Sequence, residues 1–249
     1  MPVFESYAEV CKIASENDDV FSYFKRIKEY HEILEHLSPE QGYLYLRFIE
    51  ENYEYLTKNM SQFSNLDHVG NPMHISETRY GQISPTTLRY IKVLGDLNSN
   101  FEQLGSMKIA EIGAGYGGQA KIILDHAPSA RYTCFDLPEV CQLIQRYLKT
   151  NGYNVSTMSS FSGSENYDLC ISNYAFSELN RSLQDEYIEN VISRSSHGYI
   201  TMNFISHLFG VESYGLDELI ERLQSFGFKP KVMPETPETF QNQNKIVLW

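Results

Sequence analysis

The run Glu111-Ile112-Gly113-Ala114-Gly115-Tyr116-Gly117-Gly118 places an acid ahead of a ladder of glycines. Such a ladder lets the main chain turn sharply and brings backbone N–H groups against a ligand with no side chain between. Asp136 closes the apolar stretch Tyr132-Thr133-Cys134-Phe135, where a carboxylate can accept both hydroxyls of a ribose. Together these residues point to a nucleoside-type cofactor. Gly113, Gly115 and Gly118 also satisfy the dinucleotide fingerprint, so the glycines alone do not separate NAD from S-adenosylmethionine. Glu111 favours S-adenosylmethionine, because dinucleotide folds usually carry an apolar strand residue two places before the first glycine. The chain end points the same way: residues 229–233 and 245–249 read as two strands around a loop rich in Pro, Thr, Asn and Gln, an antiparallel hairpin that closes a sheet.

On this reading Gly113, Ala114, Gly115, Tyr116 and Gly117 approach the methionine part of the cofactor, and Glu111 accepts hydrogen bonds directly or through water. Asp136 holds the ribose and Leu137 packs on the adenine. Ser159, Ser160 and Phe161 follow the third strand and offer polar contact and stacking to the base; a plain Ser-rich loop is the alternative. Arg89 has the reach to pair bidentately with the cofactor carboxylate, or else forms a surface salt bridge. Asn173 counts among the cofactor-binding candidates. With Tyr174, Ser177 and Glu178 it follows the fourth strand, and Asn-Tyr-Ala-Phe differs from the Asn-Pro-Pro-Tyr pattern of amino-group methylation, which favours an oxygen acceptor.

Methyl transfer to a hydroxyl needs alignment and gains ~10²- to 10⁴-fold from a general base. Glu178 is the first candidate for that base, His207 the second and His68 the third. Asp67, His68 and His74 lie close in sequence, but no metal-binding spacing such as His-Glu-x-x-His occurs, and no required metal is expected.

The elements that must position these residues read as follows. Residues 1–60 carry helical apolar stripes: Tyr7, Val10, Cys11 and Ile13; Phe21, Phe24, Ile27 and Tyr30; then a third helix over 39–55. Tyr43, Tyr45, Tyr53 and Tyr55 suit either a sugar or aromatic pocket or half-buried helix packing. Residues 61–83 read as an irregular segment. Ser84 is an N-cap, Pro85 the first helical residue, and a helix then leads into the first strand at 107–110. Beyond the glycines, helices are expected at 138–149, 182–195 and 217–226, and strands at 154–158, 167–172 and 199–203. With the final hairpin this gives an α/β fold, a Rossmann-like seven-stranded sheet of the class I methyltransferase kind. The expected division is a helical extension and substrate or lid segment over 1–83, then a cofactor-binding domain over 84–249.

The 249 residues suffice for a sizeable core, and the net charge of −12 argues against a nucleic-acid partner. The four cysteines form no CxxC pair and read as reduced buried thiols. The chain shows neither a stretch of ~20 apolar residues nor a signal peptide, so a cytoplasmic protein without a membrane span is expected.

The motifs EIGAGYGGQ, FDLPEV and SNYAFSEL, with VGNP and SPTTLRYIKVL upstream and PETPETFQNQNKIVLW at the end, together resemble the bacterial sugar O-methyltransferase family over about residues 65–249. The resemblance implies methylation of a sugar hydroxyl, in polysaccharide, glycolipid or nucleotide-sugar biosynthesis. Two other readings stay open: an O-methyltransferase of a small phenolic or polyketide hydroxyl, and a cofactor-binding assembly partner without turnover. The apolar extension suits a lid, a homodimer interface or both.

Overall fold

The computed structural model describes residues 5–161, 165–239 and 244–249. Five helices open the chain: α1 (Tyr7–Glu16), α2 (Asp18–Tyr23), α3 (Lys28–Leu34), α4 (Pro39–Asn52) and the single-turn α5 (Met60–Phe63). Polar residues start three of them. Ser6 Oγ accepts from the Glu9 N–H, Asn17 Oδ1 from that of Val20, and Ser38 and Gln41 form a capping box ahead of Pro39. The segment expected to be irregular holds, besides α5, a 3-10 turn at Ser64–His68 and an antiparallel hairpin of β1 (Ser76–Thr78) and β2 (Gly81–Ile83). Strands of three residues are too short to show a period of two, so the hairpin left no pattern to find.

Next comes α6 (Pro85–Asn100), whose N-terminus is tied down by Asp67. That carboxylate accepts from the Ser84 N–H (2.7 Å), Ser84 Oγ (2.7 Å) and Thr87 Oγ1 (2.8 Å). At the other end of α6, Asp96 pairs with Lys92 (2.7 Å) and accepts from the hydroxyls of Tyr53 and Tyr199. The helix is thereby fixed to both the extension and the sheet.

Strands and helices then alternate: β3 (Lys108–Ile112), α7 (Gly118–His126), β4 (Arg131–Phe135), α8 (Pro138–Thr150), β5 (Ser156–Met158), β6 (Tyr167–Asn173), α9 (Ala175–Glu178), α10 (Arg181–Asn190), β7 (Ser195–Met202), α11 (Leu216–Ser225), β8 (Lys231–Pro234) and β9 (Lys245–Leu248). Seven of these strands form one sheet in the order β5-β4-β3-β6-β7-β9-β8. Neighbours from β5 to β7 run parallel, and β9 runs antiparallel to both β7 and β8. The loop of the final hairpin falls partly on residues 240–243, outside the described residues. The helix expected over 182–195 ends at Asn190, and β7 begins at Ser195, earlier than expected, because two of its first three residues are solvent-facing and show no apolar run.

Side chains alternate between the two faces of the sheet, as the period of a strand requires. Ile109, Cys134, Leu169, Ile171 and Tyr199 face one core; Ala110, Ile112, Phe135, Cys170 and Ile200 face the other, with α10 and α11. The first core also takes in Val10, Phe24, Tyr30, Tyr45 and Ile49 from the N-terminal helices. The extension therefore packs directly on the sheet domain, α1 against α8 and α4 against α6. Burying each of these large side chains contributes roughly 1.5–3 kcal/mol, enough to hold the extension in place. Among the described residues no helix is long and apolar enough to cross a membrane.

Candidate functional site

Strand order reverses between β3 and β6, and open α/β sheets bind ligands in the crevice at the carboxyl ends of such neighbours. Gly113 follows β3 there. Its N–H donates to the Phe135 carbonyl at 2.8 Å, its φ is +71°, and a Cβ would collide with that of Ala175. Both the left-handed backbone and the close approach require glycine. Gly115, with φ of +58°, lies under Leu34 of the extension; a Cβ would stand 3.0 Å from Leu34 Cδ1.

The Gly115 N–H donates to Asp136 Oδ2 at 2.9 Å and the Leu137 N–H to Asp136 Oδ1 at 2.8 Å. This links the glycine turn to the end of β4. Burial raises the Asp136 carboxyl to about 6, against the lowering effect of those two N–H groups.

Two cavities flank this point. The first, of about 240 Å³, lies between Leu34, His36 and Arg89 on one side and Asn173, Tyr174 and Asn203 on the other. The second, of about 360 Å³, is lined by Leu137, Ser159, Ser160 and Phe161, with Phe135 and Tyr187 behind. Tyr7, Gly113, Asp136, Ala175 and Glu178 line both. Phe161 stacks parallel to Phe135 (6.3 Å between centroids) and meets Tyr187 edge-on (4.8 Å), an aromatic wall suited to a flat ring. The second falls within the range that small-ligand sites occupy, and the first lies a little below it.

No family model matches the sequence, and neither does any curated protein. Solved structures do match. A protein from Galdieria sulphuraria assigned as a sarcosine dimethylglycine methyltransferase superposes with a TM-score of 0.51 at 18% identity, over 60% of this chain and 65% of that one. An assigned O-methyltransferase from Nostoc punctiforme gives 0.50 at 14% identity, over 64% of this chain and 55% of the other. This chain has a class I methyltransferase fold. It spans less than two thirds of the length of either neighbour.

The class I fold brings together most of the residues singled out from the sequence. Gly113, Gly115, Asp136, Leu137, Ser160, Phe161, Asn173, Arg89 and Glu178 all line one or both cavities. Arg89 is buried on α6, its guanidinium 5.2 Å from the Tyr174 ring centroid and 5.7 Å from that of Tyr90, with no hydrogen-bond partner for Nε. It is no surface salt bridge. Asn203 Nδ2 donates to Glu178 Oε1, and Ser177 Oγ donates to Asn203 Oδ1 at 3.0 Å, so the exposed Glu178 is held from β7.

Other candidates lie elsewhere. Tyr116 points away from the cavities into the first core, against Phe24, Tyr30 and Tyr147 and under the Lys25 ammonium at 4.2 Å, because the turn directs it between α7 and the extension. Glu111 is buried inside the sheet domain, where it accepts from the Tyr132 hydroxyl at 2.8 Å; burial raises its carboxyl to about 8. Ala114 is buried behind the turn and Gly117 is the left-handed N-cap of α7. His207 is exposed on a 3-10 turn after β7 and His68 is exposed at the end of another; neither lines a cavity. His74 Nδ1 lies 2.6 Å from the Leu37 carbonyl and Asp67 is committed to capping, so the considered metal ligands do not converge. Tyr43, Tyr45, Tyr53 and Tyr55 line neither cavity; Tyr45 and Tyr53 are packing residues with bonded hydroxyls.

The sequence reading did not identify Tyr7, Leu34 and His36 of the extension, or Asn244, as lining residues. Partial desolvation at the cavity wall, with Arg89 nearby, lowers the imidazole of His36, whose surface is otherwise exposed, to about 4 and keeps it neutral. Tyr7 and Leu34 belong to ordinary helical apolar stripes, and nothing in their spacing distinguishes them.

Proposed function

We propose that this protein is an S-adenosylmethionine-dependent O-methyltransferase whose acceptor is a sugar hydroxyl. The observation that carries the reading is Asp136, held at the end of β4 by the Gly115 and Leu137 N–H groups between two cavities that share Gly113 and Glu178. The residues present fit the cofactor. Gly113 borders both cavities, Arg89 Nε is buried and unpaired, and Phe161 stands with Phe135 in a second cavity suited to a base.

S-adenosylmethionine, when bound, supplies an electrophilic methyl group on a sulfonium. Asp136 accepts hydrogen bonds from the ribose hydroxyls, and the Arg89 guanidinium pairs with the methionine carboxylate. Leu137, Ser160 and Phe161 bound the space for the adenine. Glu178, held by Asn203, takes the proton of the acceptor hydroxyl. Residues 1–83 serve as the cover: Tyr7 and Leu34 exclude water from the crevice of the 84–249 domain. The sequence resemblance supports a sugar over other acceptors, as do the amide side chains of Asn173 and Asn203, which line the otherwise largely apolar first cavity at the ends of β6 and β7.

Calorimetric titration with S-adenosylhomocysteine and, separately, NADH tests the reading. S-adenosylhomocysteine should bind, and Asp136→Ala should weaken it about 100-fold, the loss of two hydrogen bonds to a charged group. Binding of NADH instead would overturn it. Transfer of tritiated methyl to phenols but not to glycosides would move the acceptor class.

A further inference from the structure

Three asparagines stand side by side at one edge of the sheet. Asn173 ends β6, Asn203 follows β7, and Asn244 precedes β9, which runs the opposite way and so begins where β7 finishes. In the ladder Asn173 is opposite Thr201 and Met202 opposite Lys245, so the three span adjacent strands β6, β7 and β9. Two strand spacings, ~10 Å, separate the outer pair across the sheet, with an offset of two residues along it. All three line the first cavity.

Their hydrogen bonding differs. Asn203 is spoken for on both sides: Nδ2 donates to Glu178 and Oδ1 accepts from Ser177. Asn244 Nδ2 donates to Glu235 Oε2 at 2.7 Å, and Glu235 also accepts from the Tyr174 hydroxyl. A carboxylate only accepts, so this bond turns Asn244 Oδ1 the other way, where it is buried without a partner. Asn173 has neither Oδ1 nor Nδ2 paired, and both atoms are buried. Buried amide atoms left unpaired carry an uncompensated desolvation cost, which a bound ligand can recover.

We propose that Asn173 and Asn244 form a clamp for two ring hydroxyls of a neutral sugar, on either side of the hydroxyl that Glu178 addresses. With the Arg89 guanidinium given to the methionine carboxylate, the remaining unpaired set is two acceptors, Asn173 Oδ1 and Asn244 Oδ1, and one donor, Asn173 Nδ2. A ligand carboxylate or phosphate would satisfy only the donor, and an ammonium only the acceptors. Hydroxyls both donate and accept, so a neutral polyol satisfies all three. A pyranose ring bridges the gap left once two side chains reach inward from backbones ~10 Å apart across the sheet. Asn203 is a positioning residue: it fixes Glu178 Oε1, leaving the other carboxylate oxygen for the acceptor. The proton then passes from the sugar hydroxyl to Glu178, the O–CH3 bond forms, and the C–S bond breaks with its electron pair returning to sulfur. This inference rests on the proposed methyltransferase reading.

The test uses the full chain saturated with S-adenosylhomocysteine and titrated with methyl glycosides of neutral hexoses, with a methyl glucuronide and a simple phenol as contrasts, followed by saturation-transfer NMR. A neutral glycoside should bind, the glucuronide and the phenol should not, and Asn173→Ala and Asn244→Ala should each weaken it about tenfold while S-adenosylhomocysteine affinity stays within about twofold. On the unaltered protein, glycosides lacking one ring hydroxyl should show a similar tenfold loss at two positions, which does not depend on how the variants fold. Glucuronide or phenol binding in place of neutral glycosides would overturn the clamp. So would a parallel loss of S-adenosylhomocysteine affinity in Asn173→Ala, which would assign that amide to the cofactor. Failure of the unaltered protein to bind S-adenosylhomocysteine is a separate result and removes the reading beneath it.

Discussion

The two cavities meet at Gly113, Asp136 and Glu178, yet they are built in opposite ways. The second, proposed for the nucleoside, is lined by residues from 112 to 187 and the single intruder Tyr7, nearly all at or just beyond strand ends. The first, proposed for the acceptor and for the methionine end of the cofactor, draws Leu34 and His36 from the extension, Arg89 from α6, Asn173 and Asn203 from neighbouring strands, and Asn244 from the last. Local strand–turn–helix units form one half and long-range packing the other. A mutation in the first kind should act on cofactor affinity, and one in the second, Arg89 apart, on acceptor binding or turnover.

The largest expected effect is on turnover alone. Glu178→Gln keeps an acceptor oxygen for Asn203 but removes the basic carboxylate, so kcat should fall ~10²- to 10⁴-fold with S-adenosylhomocysteine affinity unchanged. His207→Ala and His68→Ala should leave both quantities near those of the unaltered protein, since neither side chain lines a cavity. A loss in His207→Ala equal to that in Glu178→Gln would move the base and break the comparison.

Next comes the glycine that joins the halves. Gly113→Ala places a Cβ at φ of +71°, costing roughly 1–2 kcal/mol, and drives it into Ala175. Cofactor affinity should drop at least about tenfold and the Tm should fall. Ala175→Gly added to Gly113→Ala should restore part of the loss, because it removes the collision but not the backbone strain. No rescue in that double variant would mean that backbone strain alone accounts for the effect.

The same contrast explains what the sequence revealed. EIGAGYGGQ and the acid at 136 are local signals, because the turn, the cap of α7 and the end of β4 are each set by a few consecutive residues, and the structure places Gly113, Gly115 and Asp136 together. The parallel order of the sheet followed from alternating apolar runs. Tyr116 misled for a local reason: Gly113 and Gly115 just before it border the crevice, whereas its own ring turns into the core. Leu34, His36 and Asn244 had no signal at all, since their place depends on the α3–α4 corner and the final hairpin docking from opposite ends of the chain. Thr86 Oγ1 bonded to the Leu34 carbonyl at 3.2 Å and His74 on the Leu37 carbonyl hold that corner, links that no periodicity encodes.

A smaller effect separates the halves by pH. The Asp136 carboxyl, raised to about 6 mainly by burial, must be ionised to accept hydroxyl protons. Cofactor-side binding should therefore weaken as pH falls through 6, about tenfold between pH 7 and 5, since each unit below the pKa cuts the ionised fraction about tenfold. Calorimetry of S-adenosylhomocysteine across that range reads it, and Asp136→Asn should bind weakly with no such slope. A slope that persists in Asp136→Asn would place the titrating group elsewhere.

The smallest effect concerns Glu111, which is buried in the sheet domain and lines neither cavity. Burial raises its carboxyl to about 8 from an ordinary value of 4.5, with the Tyr132 hydrogen bond opposing the rise. A raised pKa means that the folded chain keeps a proton which the unfolded chain loses. The stabilising share is complete below the unfolded pKa and is lost as pH rises to about 8, with a limiting slope of about 1.4 kcal/mol per pH unit. Glu111→Gln holds the same shape without a charge, so its stability should change less between pH 5 and 8 than that of the unaltered protein, and its Tm at pH 8 should be equal or higher. Urea titrations at the two pH values check this. A variant that loses stability at pH 8 would show that the ionised carboxylate is needed in the fold.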